Sequence, residues 1–191
     1  NIEDVAKGMS YDPRIGANFL KAGIGYGGSC FPKDTKALKY LAKQHGYKLR
    51  TVEAAVDVNA EQKTKLYKKA CDRLITFSGL KVAVLGLTFK PGTDDLREAP
   101  SLDNVKLLLE KGANIYAYDP VGEENYRKKY PTEINYVKSP EEALKNANVC
   151  FIFTEWNEIK NIKPGEYKKL MKTPLVYDGR NIYDLKEMKE N

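Results

Sequence analysis

The chain has 191 residues, of which 42% are hydrophobic and 30% charged, and 32 Lys and Arg against 26 Asp and Glu give a net charge of +6. That is an ordinary globular composition, with room for one domain and an appendage or for two small domains. It excludes a transmembrane helix, for want of about 20 consecutive apolar residues, and a disulfide framework or common zinc site, with three Cys, one His and no CxxC pair.

The opening residues, NIEDVAKGMSYD, are neither a basic-then-apolar signal nor a transit peptide, and the sparse cysteines predict a reducing cytoplasm. The first part of the chain reads as helical. DTKALKYLAKQH (34–45) sets Ala37, Leu38, Leu41 and Ala42 on one stripe, with Gly46 as its stop. Residues 52–77 contain no Gly or Pro and place apolar residues from Val52 to Ile75, which predicts one helix of about 39 Å. A helix that long connects two bodies or packs against a second subunit.

Near Gly79 the periodicity changes, dividing the chain into a helical region (1–79) and an α/β region (80–191). KVAVLG (81–86) is a buried-type strand. A Gly/Pro/Asp-rich loop (87–98) and an amphipathic helix closed by Gly112 (101–111) follow. Further strands are expected at 114–120, 135–137, 149–154 and 174–179, and helices at 140–147 and 167–172. Strands alternating with helices of about 10 residues predict βαβ units and a mostly parallel, doubly wound sheet.

In such a sheet ligands bind where strands end. Strand one ends at Gly86, strand two at Asp119, the fourth at Thr154 and the fifth at Asp178-Gly179-Arg180. A lone glycine after the first strand is not a dinucleotide fingerprint. Lys90, Arg97 and Arg180 at that edge would suit a phosphate or pyrophosphate, or are simply loop cations on the surface. The 26 lysines mostly alternate with acids, as in KEMKE, so a solvated face is the plain reading of the charge; an anionic small molecule comes next and nucleic acid last.

The densest signal is Gly23-Ile24-Gly25-Tyr26-Gly27-Gly28-Ser29-Cys30-Phe31-Pro32-Lys33-Asp34. Four glycines in six residues allow a backbone to approach a ligand closely and to offer N–H groups to anionic oxygens. Cys30, at the mouth of the following helix and near Lys33, is placed as a nucleophilic thiolate would be, and Asp34 as a carboxylate that orients water. The competing reading is a glycine-rich turn with an inert cysteine. Cys71 and Cys150 read as core residues, and His45 as a helix C-terminal cation.

Together with DPRIG (12–16), FLKAG (19–23), GLTFK (86–90) and DGR (178–180), this segment resembles the UDP-glucose/GDP-mannose dehydrogenase family, and its UDP-glucose 6-dehydrogenase members in particular. The resemblance runs through the whole chain in order but matches only the second half of such enzymes. Sister enzymes acting on UDP-N-acetylmannosamine typically carry GVGGHC where this chain has GYGGSC.

The resemblance implies the end of a helical middle domain, a long central helix and a Rossmann-like UDP-binding α/β domain. It implies Cys30 as nucleophile and Asp34 as support for water activation. Phe19, Leu20, Lys21, Gly23, Tyr26 and Gly27 would line the nucleotide-sugar site, Phe89 and Lys90 would hold UDP, and Arg180 would touch the sugar nucleotide. Arg14 would reach the neighbouring subunit's substrate in a homodimer, and Lys33 and Arg97 would contact NAD. The NAD fingerprint, the catalytic glutamate, and the lysine and asparagine that stabilise the oxyanion are expected upstream of residue 1, so the chain alone is expected to be inactive. Oxidation of an N-acetylated UDP-hexose, and a non-catalytic UDP-sugar-binding dimerisation module, are the alternatives.

Overall fold

The computed structural model describes residues 1–190. Helices come first: α1 (Ile2–Ser10), α2 (Cys30–Gln44), α3 (Arg50–Lys63) and α4 (Lys65–Cys71). Strands and helices then alternate as β1 (Lys81–Leu85), α5 (Pro100–Glu110), β2 (Asn114–Tyr118), α6 (Glu123–Lys129), β3 (Ile134–Tyr136) and α7 (Pro140–Leu144). They continue as β4 (Val149–Ile152), α8 (Asn157–Lys160), α9 (Pro164–Leu170), β5 (Val176–Asp178) and α10 (Leu185–Glu190).

The five strands are all parallel and lie in the order β3-β2-β1-β4-β5. Parallel strands are covered on both faces, so β4 is buried throughout and β1 from Val82 to Leu85. Val82 and Val84 of β1 and Phe151 of β4 face a core built with Leu66 and Ala70 of α4 and Val105 and Leu108 of α5. Ala83 and Leu85, with Cys150 and Ile152, face the opposite core of Leu144, Ile159 and Tyr167 from α7 to α9. The alternation follows from the two-residue strand period. The chain winds outward from β1 to β3 and then returns to β4 on the other side of β1, making the β1/β4 boundary a topological switch point. This is a Rossmann-like arrangement.

The helical part departs from expectation in four ways. Residues 52–77 are not one helix: the helix starts at Arg50, is interrupted at Thr64 (φ −98°, ψ 4°) and ends at Cys71. Leu66, Ala70 and Phe77 explain the shortening, because all three are buried in the core and the chain must turn back after α4 for Phe77 to reach it. Cys71 is exposed rather than buried, since α4 docks through Leu66 and Ala70 and the next residue is rotated about 100° away. The stripe on α2 is likewise uncovered, with Leu38 and Leu41 about half exposed and only Pro32 of that helix buried.

Helix α2 also starts four residues before the expected Asp34, which puts Cys30 inside the helix. Helices α6, α8 and α10 were not anticipated; α6 carries Glu123 and Glu124 in its first turn and Arg127, Lys128 and Lys129 in its last, the charge order that suits the helix dipole. Cys150 is fully buried and His45 caps α2 as expected. Among the described residues no helix is long and apolar enough to cross a membrane.

Candidate active site

The carboxyl edge of the sheet is built around Asp119, which is only 4% exposed at the end of β2. Its carboxylate accepts from four backbone N–H groups, those of Leu87 (2.7 Å), Thr88 (3.2 Å), Val121 (3.1 Å) and Gly122 (2.7 Å), and from the Trp156 indole (3.0 Å). A buried carboxylate is tolerable only with such a full set of donors. The Thr154 hydroxyl donates to the Thr88 carbonyl, tying the end of β4 to the loop after β1. Gly86, with φ +84°, sits where a Cβ would come within 2.6 Å of the Thr154 backbone nitrogen. The switch point is therefore closed by packing between Gly86, Thr88 and Thr154.

That segment is held from three sides. On the sheet side, Ile24 N donates to the Gly179 carbonyl (3.0 Å) and the Asn181 amide to the Ala22 carbonyl (3.0 Å). From α3, the Asn59 side chain accepts from Tyr26 N (2.7 Å) and donates to Tyr26 O (3.2 Å), while Gln62 donates to Gly23 O (2.8 Å). From the loop after β1, the Arg97 carbonyl accepts from Gly28 N (2.7 Å). The glycines are dictated by closeness: a Cβ on Gly27 would lie 2.5 Å from the Glu98 carbonyl oxygen, and one on Gly28 would lie 2.8 Å from the Phe89 ring.

Cys30 follows as the first residue of α2, after Ser29 at the N-cap position, and is exposed. Asp34 lies one turn further along the same helix and pairs with Lys33 at 2.8 Å. The Asp34 hydrogen bond raises Lys33 above its ordinary value, and the charge of Cys30 adds a smaller push. Arg97 is raised mainly by its bond to Asp95 and, least, by Cys30. Cys30, Lys33, Asp34 and Arg97 therefore share one neighbourhood.

Phe89 packs against Gly27 and Gly28, and Lys90 lies 5.4 Å from the Phe89 ring centroid with its ammonium exposed. Tyr26 meets Phe31 edge to face. Arg180 reaches Gly23, where an added Cβ would come within 3.3 Å of its Nη1. These residues are brought together around the segment 23–30. Arg14 stands apart in the turn after α1, bound to Asp12. Phe19 adopts φ +63° and is 94% exposed; Leu20 is half-buried and Lys21 exposed.

Several residues that order the site carry no motif. Glu98, with φ +55°, takes Lys36 of α2 on one carboxylate oxygen and the buried Lys63 of α3 on the other, each at 2.8 Å. These two lysines hold its carboxyl down at about 2. Glu155 likewise takes the Arg180 guanidinium on its carboxylate (2.6 and 2.9 Å), and Asn59, Glu98 and Glu155 all sit far in sequence from the groups they hold; only the adjacency of Glu98 to Arg97 hinted at one of them. An open cleft of about 280 Å³ lies between α2 and α3, lined by Tyr26, Lys36, Asn59, Lys63 and Glu98, and one of about 150 Å³ lies beside Gly23 and Gly179.

Residues 83–185 match the model of the UDP-glucose/GDP-mannose dehydrogenase family's UDP binding domain, and residues 1–61 that family's central domain. The chain belongs to the UDP-glucose/GDP-mannose dehydrogenase family. Among relatives of the family, UDP-glucose 6-dehydrogenase YwqF of Bacillus subtilis is 46% identical over 187 residues, which are 98% of this chain and 42% of that one. The UDP-glucose dehydrogenase of the hyperthermophilic archaeon Pyrobaculum islandicum superposes with a TM-score of 0.86 at 33% identity, covering 98% of this chain and 41% of its own. The NDP-N-acetyl-D-galactosaminuronic acid dehydrogenase of Methanosarcina mazei superposes at 0.83 with 27% identity, covering 100% and 42%. The chain thus spans about four-tenths of the length of the relatives it matches.

Proposed function

We propose that this chain supplies the nucleophile and the UDP grip of an NAD-dependent UDP-glucose 6-dehydrogenase. The observation that carries the reading is the placement of Cys30: exposed at the first turn of α2, at the end of a glycine segment anchored to β5, and beside Lys33 and Arg97. Support comes from the relatives that bear this activity in their names and share the chain's full extent.

In this reading Phe89 and Lys90 hold the UDP, and the backbone of Leu20, Lys21, Gly23 and Gly27, with Phe19 and Tyr26, lines the sugar nucleotide. The C6 alcohol loses a hydride and a proton to give an aldehyde. The Cys30 thiolate adds to the aldehyde carbon, the carbonyl electron pair moves onto oxygen, and a thiohemiacetal forms. Loss of a second hydride from carbon and of the hydroxyl proton to solvent leaves a thioester. Water, oriented by Asp34 one turn along the helix, adds to it, and the C–S bond breaks to return the thiolate and release the carboxylate, the two protons of the water passing to solvent. Sulfur suits this role because it attacks and departs readily near neutral pH.

NAD, when bound, accepts the two hydrides. Lys33 and Arg97 fit its phosphates as exposed cations beside Cys30, while β1 is followed by a lone Gly86 with Thr154 packed against it rather than by an open phosphate loop. The main dinucleotide site is assigned to a domain preceding this one, so the isolated chain would oxidise nothing. We assign the region 1–79 to the middle of the subunit and 80–191 to its UDP-binding domain. The protein is read as a cytoplasmic homodimer joined through α3 and α4, with Arg14 reaching the neighbouring site; the exposed Val58 of α3 favours such a cover.

The test is a substrate panel on the full-length protein. UDP-glucose is expected to drive NAD reduction at two NADH per sugar. Preference for an N-acetylated UDP-hexose would move the assignment to that substrate, and binding without reduction would reduce it to a nucleotide-sugar module.

A further inference from the structure

Three arginines stand among the residues assigned to ligand binding, and all three are held in one way. The guanidinium of Arg14 offers Nε (3.0 Å) and Nη2 (2.5 Å) to Asp12, whose carboxylate also accepts Arg14 N (2.9 Å). Arg97 offers Nε (3.0 Å) and Nη2 (2.8 Å) to Asp95, which again accepts the arginine's own N–H (2.9 Å). Arg180 offers Nε (2.6 Å) and Nη2 (2.9 Å) to Glu155, and its backbone N–H goes to Asp178 (2.8 Å). In each case a carboxylate takes the Nε/Nη2 edge and leaves Nη1 directed away from it.

The third pair differs from the others in burial. Arg180 is 21% and Glu155 29% exposed, against 68% for Arg97 and 87% for Arg14. Surface pairs of the first two kinds fix little. A bidentate pair at the mouth between β4 and β5, partly withdrawn from water, fixes both the plane and the direction of the guanidinium. Its free edge lies against the glycine segment: a Cβ built on Gly23 would meet Nη1 at 3.3 Å, as close as the Gly179 carbonyl oxygen. Glu155 itself is ionised more readily than an ordinary glutamate: burial pushes it upward, and the Arg180 bonds and charge more than reverse that.

We propose that Glu155 is the positioning residue that presents the Nη1 edge of Arg180 to an anionic or hydroxyl oxygen of the nucleotide sugar lying along Gly23. The inference rests on the functional reading above and extends it to a residue that no motif marks. Without its carboxylate, Arg180 would regain its rotamers and have to be ordered by the ligand each time it binds. The cost falls on ground state and transition state alike, so it appears in KM and not in kcat.

The experiment uses the full-length protein, with UDP-glucose and NAD as probes. Glu155→Gln keeps the shape and removes the charge. It is expected to raise KM for UDP-glucose about tenfold, the loss of one charge-assisted interaction. The kcat, the KM for NAD and the thermal midpoint should stay within about twofold or a few degrees of wild type. Glu155→Asp, which keeps the charge on a shorter stem, should recover part of the loss. An unchanged KM for UDP-glucose, or a kcat that falls in step with the thermal midpoint, overturns the positioning role while leaving the dehydrogenase reading intact. Wild-type protein that neither binds nor oxidises UDP-glucose overturns both.

Discussion

Glu98 shows how a residue without chemistry of its own orders a site. It bridges Lys36 and Lys63, and Lys63 is buried, so removing the carboxylate would strand an ammonium inside the protein. Glu98→Gln is expected to cost about 1–3 kcal/mol at pH 7, below the figure for a fully buried pair because the Glu98 side chain is 40% exposed. The sign of the pH dependence follows from a folded value of about 2 against an ordinary 4.5. The contribution is complete above about pH 4.5 and is lost as pH falls through 2, so the stability gap between wild type and variant should close over that window. Urea unfolding at pH 7, 4 and 2.5 measures it; a gap independent of pH would show that Glu98 acts by shape rather than charge.

At the scale of elements, the glycines separate two effects that sequence alone merges. Gly86 has φ +84° and no room for a Cβ against Thr154, whereas Gly92 has φ +76° with nothing within 4 Å. Alanine at 92 should cost about 1 kcal/mol, from backbone strain alone. Alanine at 86 should cost about 2–4 kcal/mol, because β1 and β4 must also part. Equal shifts in the urea midpoint would show that the close approach of Gly86 to Thr154 has no energetic weight.

The strands and α5 were legible because each carries a local signal: an apolar run, a Gly stop, a strand end. The reach of the long helix was not, because its end is set by Phe77 returning to a core that forms only when the sheet is assembled. The cysteine segment was legible for the same reason as the strands, with its glycines and Cys30 adjacent in sequence. Asn59, Glu98 and Glu155 were not, since each acts on a segment at least 25 residues away along the chain.

For the whole molecule, what stands out is the contrast between its two regions. The α/β part is closed on both faces, whereas α1 buries no residue and exposes Ile2, Val5 and Met9, and α2 exposes Leu38 and Leu41. Such faces need cover, which the proposed homodimer and preceding domain would give. The chemistry assigned to this chain converges on one sulfur atom. In the full-length protein, Cys30→Ser supplied with UDP-glucose and NAD should stall after the first oxidation or trap an intermediate, because the hydroxyl neither captures the aldehyde as readily nor leaves as readily from the ester. Steady release of two NADH per UDP-glucose at the wild-type rate would contradict the covalent role of Cys30.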